Sequence, residues 1–147
     1  MKPVNSVKLE FLSRSANEGF ARSAAACFAA QMDPTLEELG DLKTAVSEAV
    51  TNAIVHGYPE ELGKVSLRLR RYEDRTLEIR VQDWGRGIPD VEKAREPMFT
   101  TGGEERSGMG FTIMESFMDA VKIRSRPGRG TCVTMRKKLS SRPGGRL

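Results

Sequence analysis

Three polar residues recur at every fourth position of a helical pattern in the first half of the chain. Glu48, Asn52 and His56 are spaced i, i+4 and i+8, which places them on one stripe of a helix. A glutamate can accept the proton of an attacking hydroxyl group, and an asparagine amide oxygen can bind magnesium. Glu48 and Asn52 therefore have the chemistry for phosphoryl transfer, while the alternative is a polar stripe that only faces water.

Asp83 is a second residue that could bind a ligand, because it ends a run of alternating apolar and polar residues. It shares the parity of the apolar positions that begin at Leu77, so its carboxylate is predicted to point toward the core side of a sheet. A carboxylate in that place needs a hydrogen-bond donor, and the amino group of adenine is one. Gly85 and Gly87 follow and allow a tight turn close to a flat ligand. The alternative is a buried aspartate that caps its own turn.

Two later segments could complete a phosphate site. Ser107-Gly108-Met109-Gly110 is predicted to open a helix, whose free N–H groups and positive dipole end favour phosphate. Arg106 directly precedes it and could donate to a terminal phosphate. Thr131 shares parity with Val133, so its hydroxyl is predicted to face inward beside Asp83. Taken singly, a glycine pair before a helix can be only a loop, and core threonines are common.

The elements that must position these residues alternate between strands and helices. Periodicity predicts strands over 7–11, 65–69, 77–82, 120–125 and 131–138, and helices over 17–32, 35–56, 91–95 and 109–118. Residues 84–110 form a long connection rich in glycine. Loops of this length in a compact domain more often carry a functional site than serve only as a link. The order predicts an α/β two-layer sandwich, with a mixed, mainly antiparallel sheet covered by helices on one face.

Charge is distributed unevenly along the 147 residues. Of the 24 basic residues, five lie in residues 136–147, and the other 19 balance 20 acidic residues. Residues 1–138 are therefore predicted to form one domain, and residues 139–147 a basic tail with too little apolar content to fold alone. We expect a disordered, solvated tail and no direct binding of nucleic acid.

No apolar run approaches the roughly 20 residues that a membrane-spanning helix needs, and the N-terminus is unlike a signal peptide. The expectation is a soluble, cytoplasmic protein that does not contact a membrane. Cys27 and Cys132 are not in a CxxC pair and have apolar neighbours, which is typical of reduced, buried cysteines.

Taken as a set, these motifs resemble the series shared by the GHKL ATPases, which include gyrase, Hsp90, histidine kinases and MutL and have the Bergerat fold. The sequence has no P-loop pattern and no HRD or DFG kinase motif. Residues 46–58, 97–101 and 105–115 closely resemble the sporulation anti-sigma-F factors of endospore-forming bacteria, and the similarity covers nearly all residues before the tail.

The resemblance implies a homodimer that uses ATP, releases ADP and requires magnesium. Such proteins hold a sigma factor of the sigma-F type inactive when ATP is bound. They are also protein serine kinases toward an anti-anti-sigma protein.

By motif, the resemblance makes Glu48 the general base and Asn52 the magnesium ligand. The matching segment 17–22 implies that Arg22, with Glu18 beside it, contacts the protein partners. The residues implied to bind the nucleotide are Asn52, Asp83, Gly85, Gly87, Thr100, Thr101, Arg106, Ser107, Gly108, Met109, Gly110 and Thr131. Thr100 and Thr101 belong to a lid in which Gly102-Gly103 replaces the Lys-Pro of the family.

Two alternatives share the predicted fold. One is an anti-sigma kinase that acts on a general stress sigma factor, and sequence near Glu48 does not separate it from the first reading. The other is the ATPase module of a histidine kinase. That enzyme needs a phosphoacceptor histidine on a helical dimerisation segment, whereas the only histidine here is His56, inside the helix that carries Glu48.

Overall fold

The computed structural model describes residues 1–95 and 105–140, and for 105–109 only the backbone. The chain order is β1 (Asn5–Leu12), α1 (Ala16–Ala29), α2 (Leu36–Asn52), β2 (Lys64–Arg71), β3 (Thr76–Asp83), α3 (Val91–Ala94), α4 (Glu105–Phe117), β4 (Ala120–Arg126) and β5 (Gly130–Lys138). A 3-10 turn, Ala30–Met32, extends α1. The elements agree in type with those predicted from periodicity.

The helix α2 carries the first candidate residues and has a well-defined start. Thr35 caps it, because the Thr35 hydroxyl accepts from the Glu38 backbone N–H at 3.0 Å and the Glu38 carboxylate accepts from Thr35 N–H at 2.9 Å. This capping box satisfies two N–H groups that would otherwise lack partners. The α-helix ends at Asn52, earlier than predicted, and one π-helical turn, Ala53–Gly57, follows it. Such turns are frequent at functional sites.

The five strands form one sheet in the order β1-β2-β3-β5-β4, and each pairing in the described part of the chain is antiparallel. The register aligns Leu67, Val81 and Val133 across the three central strands. All three are buried, and they belong to the core that also contains the apolar sides of α1, α2 and α4. The predicted two-layer sandwich with helices on one face is confirmed.

The helix α4 begins at Glu105 rather than at Met109, so the prediction for its start was wrong. Residues 107–110 lie within its first two turns instead of preceding it. Downstream, Phe111 and Met114 are fully buried and contribute to the core. Apolar periodicity gives the buried part of a helix, but the polar first turn has no such signal.

The packed chain continues two residues beyond the predicted domain boundary at 138. Leu139 is 2% exposed and its N–H donates to the Arg75 carbonyl at 2.9 Å. The Ser140 N–H donates to the Glu38 carboxylate at 2.8 Å. These two residues of the expected tail therefore belong to the domain, and residues 141–147 lie outside the described residues.

Two further expectations concern cysteines and membranes. Cys27 and Cys132 are both free, but Cys27 is exposed and Cys132 half-buried, so the expectation that both are buried was wrong. Within residues 1–95 and 105–140, no helix is long and apolar enough to cross a bilayer.

Candidate functional site

A cleft between α2, the end of β3 and the loop after it contains several of the predicted residues. It encloses about 580 Å³, counting its open mouth. Its walls are Ala49, Asn52, Ala53, His56, Gly57, Val81, Asp83, Arg86, Gly87, Ile88, Pro89, Ala94, Phe111, Thr131 and Val133. Apolar walls with a few polar groups at defined places are typical of a small-molecule site.

Asp83 lies in this cleft and is 5% exposed, as its parity predicts. Its Oδ1 accepts from the Gly85 N–H at 2.9 Å and from the Thr131 N–H at 3.3 Å. Burial raises the pKa of the Asp83 carboxyl, and the two backbone donors only partly oppose that effect. A buried carboxylate held in this way can accept a further hydrogen bond from a ligand.

The backbone around Asp83 is packed so tightly that glycine is required. A Cβ on Gly85 would lie 1.9 Å from the Gly57 carbonyl oxygen, and a Cβ on Gly57 would lie 2.9 Å from the Asp83 carboxyl carbon. Gly87 has a φ of 77°, in the left-handed region. The tight turn predicted after Asp83 is therefore present, and the end of the π-helical turn after α2 lies against the carboxylate.

Thr131 lies directly opposite Asp83 in the register of β3 and β5. Its hydroxyl is 2.8 Å from the Ser125 hydroxyl, and the Ser125 oxygen also accepts from the Ile88 N–H at 2.7 Å. Thr131 thus lines the cleft and connects the loop after β3 to β4 through Ser125. The expected inward position of this hydroxyl is observed.

Glu48 and Asn52 meet α4 at Gly110. A Cβ on Gly110 would come within 3.0 Å of Asn52 Nδ2 and 3.2 Å of Glu48 Oε2. The Asn52 Nδ2 atom is buried and has no hydrogen-bond partner among the described residues. A buried amide without a partner is unfavourable, which points to a polar ligand beside it.

The remaining predicted nucleotide residues are described in part or not at all. The backbone of Arg106, Ser107, Gly108 and Met109 is helical, and their side chains lie outside the description. Thr100 and Thr101 also lie outside the described residues. The contact at Gly110 nevertheless places the first turns of α4 beside Glu48 and Asn52.

Glu18 and Arg22 lie on α1, away from the walls of the cleft. Their side chains form an ion pair of 3.4 Å between Arg22 Nη1 and Glu18 Oε2. The same Glu18 oxygen accepts from the Ser47 hydroxyl at 2.8 Å. The helix α1 therefore reaches α2 beside Glu48, and Glu18, Arg22 and Ser47 are not among the residues that line the cleft.

Comparison with known proteins identifies the family. Residues 11–137 match the histidine kinase-like ATPase domain. An anti-sigma F factor of Thermoanaerobacter sp. is 51% identical over 142 residues, which cover 96% of this chain and 99% of that protein. An anti-sigma F factor of Pasteuria penetrans is 55% identical over 139 residues, and the match covers 93% of each protein.

This chain belongs to the anti-sigma F factors. Its fold is also found in solved structures with lower sequence identity. The RsbU and RsbW domains of a Mycobacterium tuberculosis protein superpose with a TM-score of 0.69 at 19% identity, covering 93% of this chain and 32% of that one. A histidine kinase domain of Erythrobacter litoralis superposes with a TM-score of 0.59 at 23% identity, covering 84% of this chain and 60% of that one. These two likenesses concern the fold alone.

Two residues of this anti-sigma F factor were not predicted as part of the site. Gly57 packs against the Asp83 carboxylate, and its sequence signal was interpreted only as the end of a helix. The Tyr58 hydroxyl donates to the Lys64 carbonyl at 2.7 Å and accepts from the Trp84 N–H at 2.7 Å. This bridge holds the strand ends on which Asp83 depends, and no spacing pattern in the sequence indicates it.

Proposed function

We propose that this protein is an ATP-dependent anti-sigma factor that is also a protein serine kinase. It would bind Mg-ATP in the cleft, inhibit a sigma factor of the sigma-F type, and phosphorylate a serine of an anti-anti-sigma protein. The observation that carries the proposal is the arrangement around one cleft. Asp83 and Asn52, whose Nδ2 has no partner among the described residues, both line it, and Glu48 lies beside Asn52 at the contact with Gly110.

The adenine end of the cleft is assigned to Asp83. Its carboxylate has a second oxygen that can accept from the adenine amino group, while Oδ1 is held by Gly85 and Thr131. The tight turn at Gly85 and Gly87 would lie beside a flat ring held against the apolar walls of the cleft. Thr131, opposite Asp83, would add a hydroxyl to the same ligand.

The phosphate end is assigned to α2 and α4. The backbone N–H groups in the first described turn of α4, from Glu105, would favour phosphate, and Arg106 through Gly110 would contact the phosphate groups there. Asn52 would hold magnesium through its amide oxygen, which suits that ion. Its buried Nδ2, which has no partner among the described residues, would donate to a phosphate oxygen. Magnesium, when bound, would neutralise charge on the phosphates. Thr100 and Thr101 are proposed to belong to a lid over this end.

Glu48 is proposed as the general base. The serine hydroxyl oxygen of the substrate would form a bond to the γ-phosphorus of ATP while the bond from that phosphorus to the bridging oxygen breaks. ADP would leave with the bonding electron pair, and the hydroxyl proton would pass to the Glu48 carboxylate. Placement of the two reactants beside each other would supply much of the rate enhancement.

Arg22 and Glu18 on α1 are proposed to contact the protein partners. Their ion pair is joined to α2 by the hydrogen bond from Ser47, the residue before Glu48. It also includes a homodimer, which sedimentation of the purified protein tests. A pull-down from the native cell separates a sigma-F type partner from a general stress sigma factor.

The decisive experiment combines the protein with labelled ATP, magnesium and a candidate anti-anti-sigma protein, followed by mapping of the phosphorylated residue. We expect one phosphoserine, and complex formation with the sigma factor that is stronger with ATP than with ADP. Glu48→Gln should abolish transfer while leaving ATP affinity nearly unchanged, and Glu60→Gln, at an exposed site, serves as the matched control. Absence of any heat of binding with ATP or ADP in calorimetry would overturn both the proposed kinase activity and the proposed ATP-dependent inhibition of the sigma factor.

A further inference from the structure

The sheet turns one face away from the helices, and that face is strongly basic. In all five strands the even-numbered residues point away from the core, whose residues in the strands are odd-numbered. We call the surface formed by the even-numbered strand residues the basic face. It carries ten lysine or arginine residues, and its acidic residues are Glu10 and Glu78. The excess of positive charge there is larger than the net charge of +4 of the whole chain.

Folding produces this excess, because charge is balanced along the sequence. Residues 1–135 contain 19 basic and 20 acidic residues, which led to the expectation that nucleic acid is not bound. Among the described residues, the acidic ones that lie in strands are Glu10, Glu78 and Asp83, and Asp83 points inward. The other described acidic residues lie in helices and connections, so the outward side of the strands keeps its positive charge.

The middle row of the basic face crosses the whole sheet. From β1 to β4 the residues that lie directly opposite one another are Lys8, Arg68, Arg80, Thr134 and Lys122. Like charges directly opposite each other in antiparallel strands are destabilising. Arg80 and Lys122 form no ion pair within the described ranges 1–95 and 105–140, and the Arg80 Nε atom donates to the Thr134 hydroxyl at 3.4 Å. The row therefore keeps an electrostatic cost that an anionic ligand would remove.

Glu78 offsets only part of this charge. Its carboxylate, 4% exposed, accepts from Arg68 at 3.1 Å and from Arg136 at 2.9 Å. One buried carboxylate thus positions two guanidinium groups, and the side chain of Arg136 remains 58% exposed. The Nε atoms of Arg68 and Arg70 have no hydrogen-bond partner in the described part of the chain. These guanidinium groups are held in place by the sheet and still have donors to offer an anion.

The composition and shape of the basic face favour double-stranded nucleic acid over other anionic partners. None of these strand positions is aromatic, so the bases of a single strand would have no ring to stack on. Leu12, at the edge, is the one large apolar residue among them, whereas the centre of a protein interface is usually apolar. A five-stranded sheet twists by about 80–100° from edge to edge. Its face is therefore concave along one diagonal, which fits a rod better than a flat membrane.

We propose that the basic face binds the phosphate backbone of double-stranded nucleic acid without reading its sequence. The basic residues of the middle row, together with Arg124 and Arg136, contact phosphates across the sheet. Binding releases counterions, so the affinity falls steeply as the salt concentration rises. The surface lies on the side of the sheet opposite the nucleotide cleft, and the inference does not depend on the proposed kinase activity.

Fluorescence anisotropy of the full chain with labelled duplex DNA and duplex RNA of mixed sequence tests the proposal, at salt concentrations from about 50 to 200 mM. The face variant combines Arg80→Gln with Lys122→Gln. Thermal unfolding shows whether it is folded. If it is not, Lys122→Gln with Arg124→Gln, both at exposed positions, takes its place. Vesicles that contain phosphatidylserine are titrated in parallel to test a membrane as the partner.

Two control variants remove the same amount of charge elsewhere. Arg142→Gln with Arg146→Gln changes the basic C-terminal segment, which is the other candidate for binding nucleic acid. Lys43→Gln with Lys93→Gln changes exposed residues of α2 and α3, on the helical side of the protein. The three variants have equal net charge, so a difference between them reports where the nucleic acid lies.

The wild-type protein should bind duplexes of different sequence with similar affinity, and a preference for DNA or RNA identifies the ligand. The face variant should weaken binding by about tenfold and reduce the slope of log affinity against log salt by about 2, whereas both controls should bind nearly as the wild type does. Absence of binding to either duplex at the lowest salt overturns the proposal. A loss of affinity in the C-terminal control but not in the face variant also overturns it, and so does binding to vesicles without binding to a duplex.

Discussion

Gly110 of α4 lies against the side-chain amide of Asn52 on α2, so closely that a Cβ would come within 3.0 Å of Nδ2. The same added atom would be 3.2 Å from Glu48 Oε2. The contact joins the helix that carries the proposed base and magnesium ligand to the helix that would bind the phosphates. The absence of a side chain at position 110 therefore sets the distance between the two halves of the phosphate end.

Gly110→Ala should weaken Mg-ATP binding by about tenfold, corresponding to roughly 1.4 kcal/mol, because the new methyl group displaces the Asn52 amide. The fold should be retained, since alanine is the better helix former by about 0.5–1 kcal/mol. Calorimetry with Mg-ATP measures the affinity. Gly40→Ala is the matched control, because a Cβ there meets nothing within 4 Å. Equal affinities for the two variants would contradict the assignment of this contact.

Asp83→Asn should reduce ATP affinity about tenfold or more, because the amide cannot replace a charged acceptor toward the adenine amino group. The Asn oxygen can still accept from Gly85 and Thr131, so the loop should keep its conformation. Calorimetric titration with ATP and with ADP should reveal similar losses, since both share the adenine. A loss of affinity for ATP alone would contradict the assignment of Asp83 to the adenine, because ADP contains the same adenine.

The pKa of Asp83 makes a separate prediction about the stability of the nucleotide-free protein. Because burial raises the pKa of Asp83 in the folded state, the folded state holds its proton more tightly than the unfolded state does. The contribution of this group is therefore most favourable at pH values below its unfolded pKa and is lost as the pH rises through the folded pKa. Urea unfolding across the acidic range should show wild type losing stability relative to Asp83→Asn as the pH rises. A difference that grows in the opposite direction would contradict the shift.

Glu78 lies on the outer face of the sheet, and its pKa is shifted in the direction opposite to that of Asp83. Its side chain is 4% exposed and pairs with Arg136 at 2.7 Å and Arg68 at 3.1 Å. Burial acts to raise the pKa of Glu78, but the bonds to Arg136 and then to Arg68 outweigh it and leave the pKa lowered. Stability from this group is therefore present at neutral pH and lost as the pH falls through the folded pKa.

Glu78→Gln should lower the free energy of unfolding at neutral pH by about 1–3 kcal/mol, a value reduced from that of fully buried pairs because Arg136 is half exposed. ATP affinity should not change, since Glu78 lies on the face of the sheet opposite the cleft. Urea unfolding at pH 7 and near pH 3 should show the difference shrinking at the lower pH. Glu73→Gln, in the exposed β2–β3 turn, provides the comparison.

Gly85→Ala should destabilise the protein by about 2 kcal/mol or more, because overpacking forces the backbone at Gly57 to move. The Cβ would lie 1.9 Å from the Gly57 carbonyl oxygen, and backbone cannot swing aside as a flexible side chain can. Gly128→Ala measures the cost of a left-handed backbone without a clash, since Gly128 has a φ of 77° and no atom within 4 Å of the added Cβ, whereas Gly85 is not among the glycines with positive φ. That control should cost only about 1–2 kcal/mol, the ordinary penalty for a left-handed residue. Similar losses of thermal stability in both would argue against the close approach at Gly85.

Much of the site was predictable because its signals are local. The four-residue spacing places Glu48 and Asn52 on one helical row, and strand parity turns Asp83 and Thr131 inward, whatever else the chain does. The motif series then led to the ATPase family and its fold.

Two predictions were wrong because the local sequence pattern carries no signal for the feature in question. The start of α4 was placed four residues late, because a polar first turn has no apolar period. Leu139 was assigned to the tail, although its burial depends on the shape of the domain around it.

The sequence by itself determined which residues share a face of a helix or strand, since helical and strand periods are properties of the backbone alone. Only the tertiary structure decided which faces meet. The approach of Gly57 to the Asp83 carboxylate, of Gly110 to Asn52 and of Glu18 to Ser47 joins residues far apart along the chain. Such contacts follow from how five strands and the helices above them pack, and packing depends on all the side chains at once.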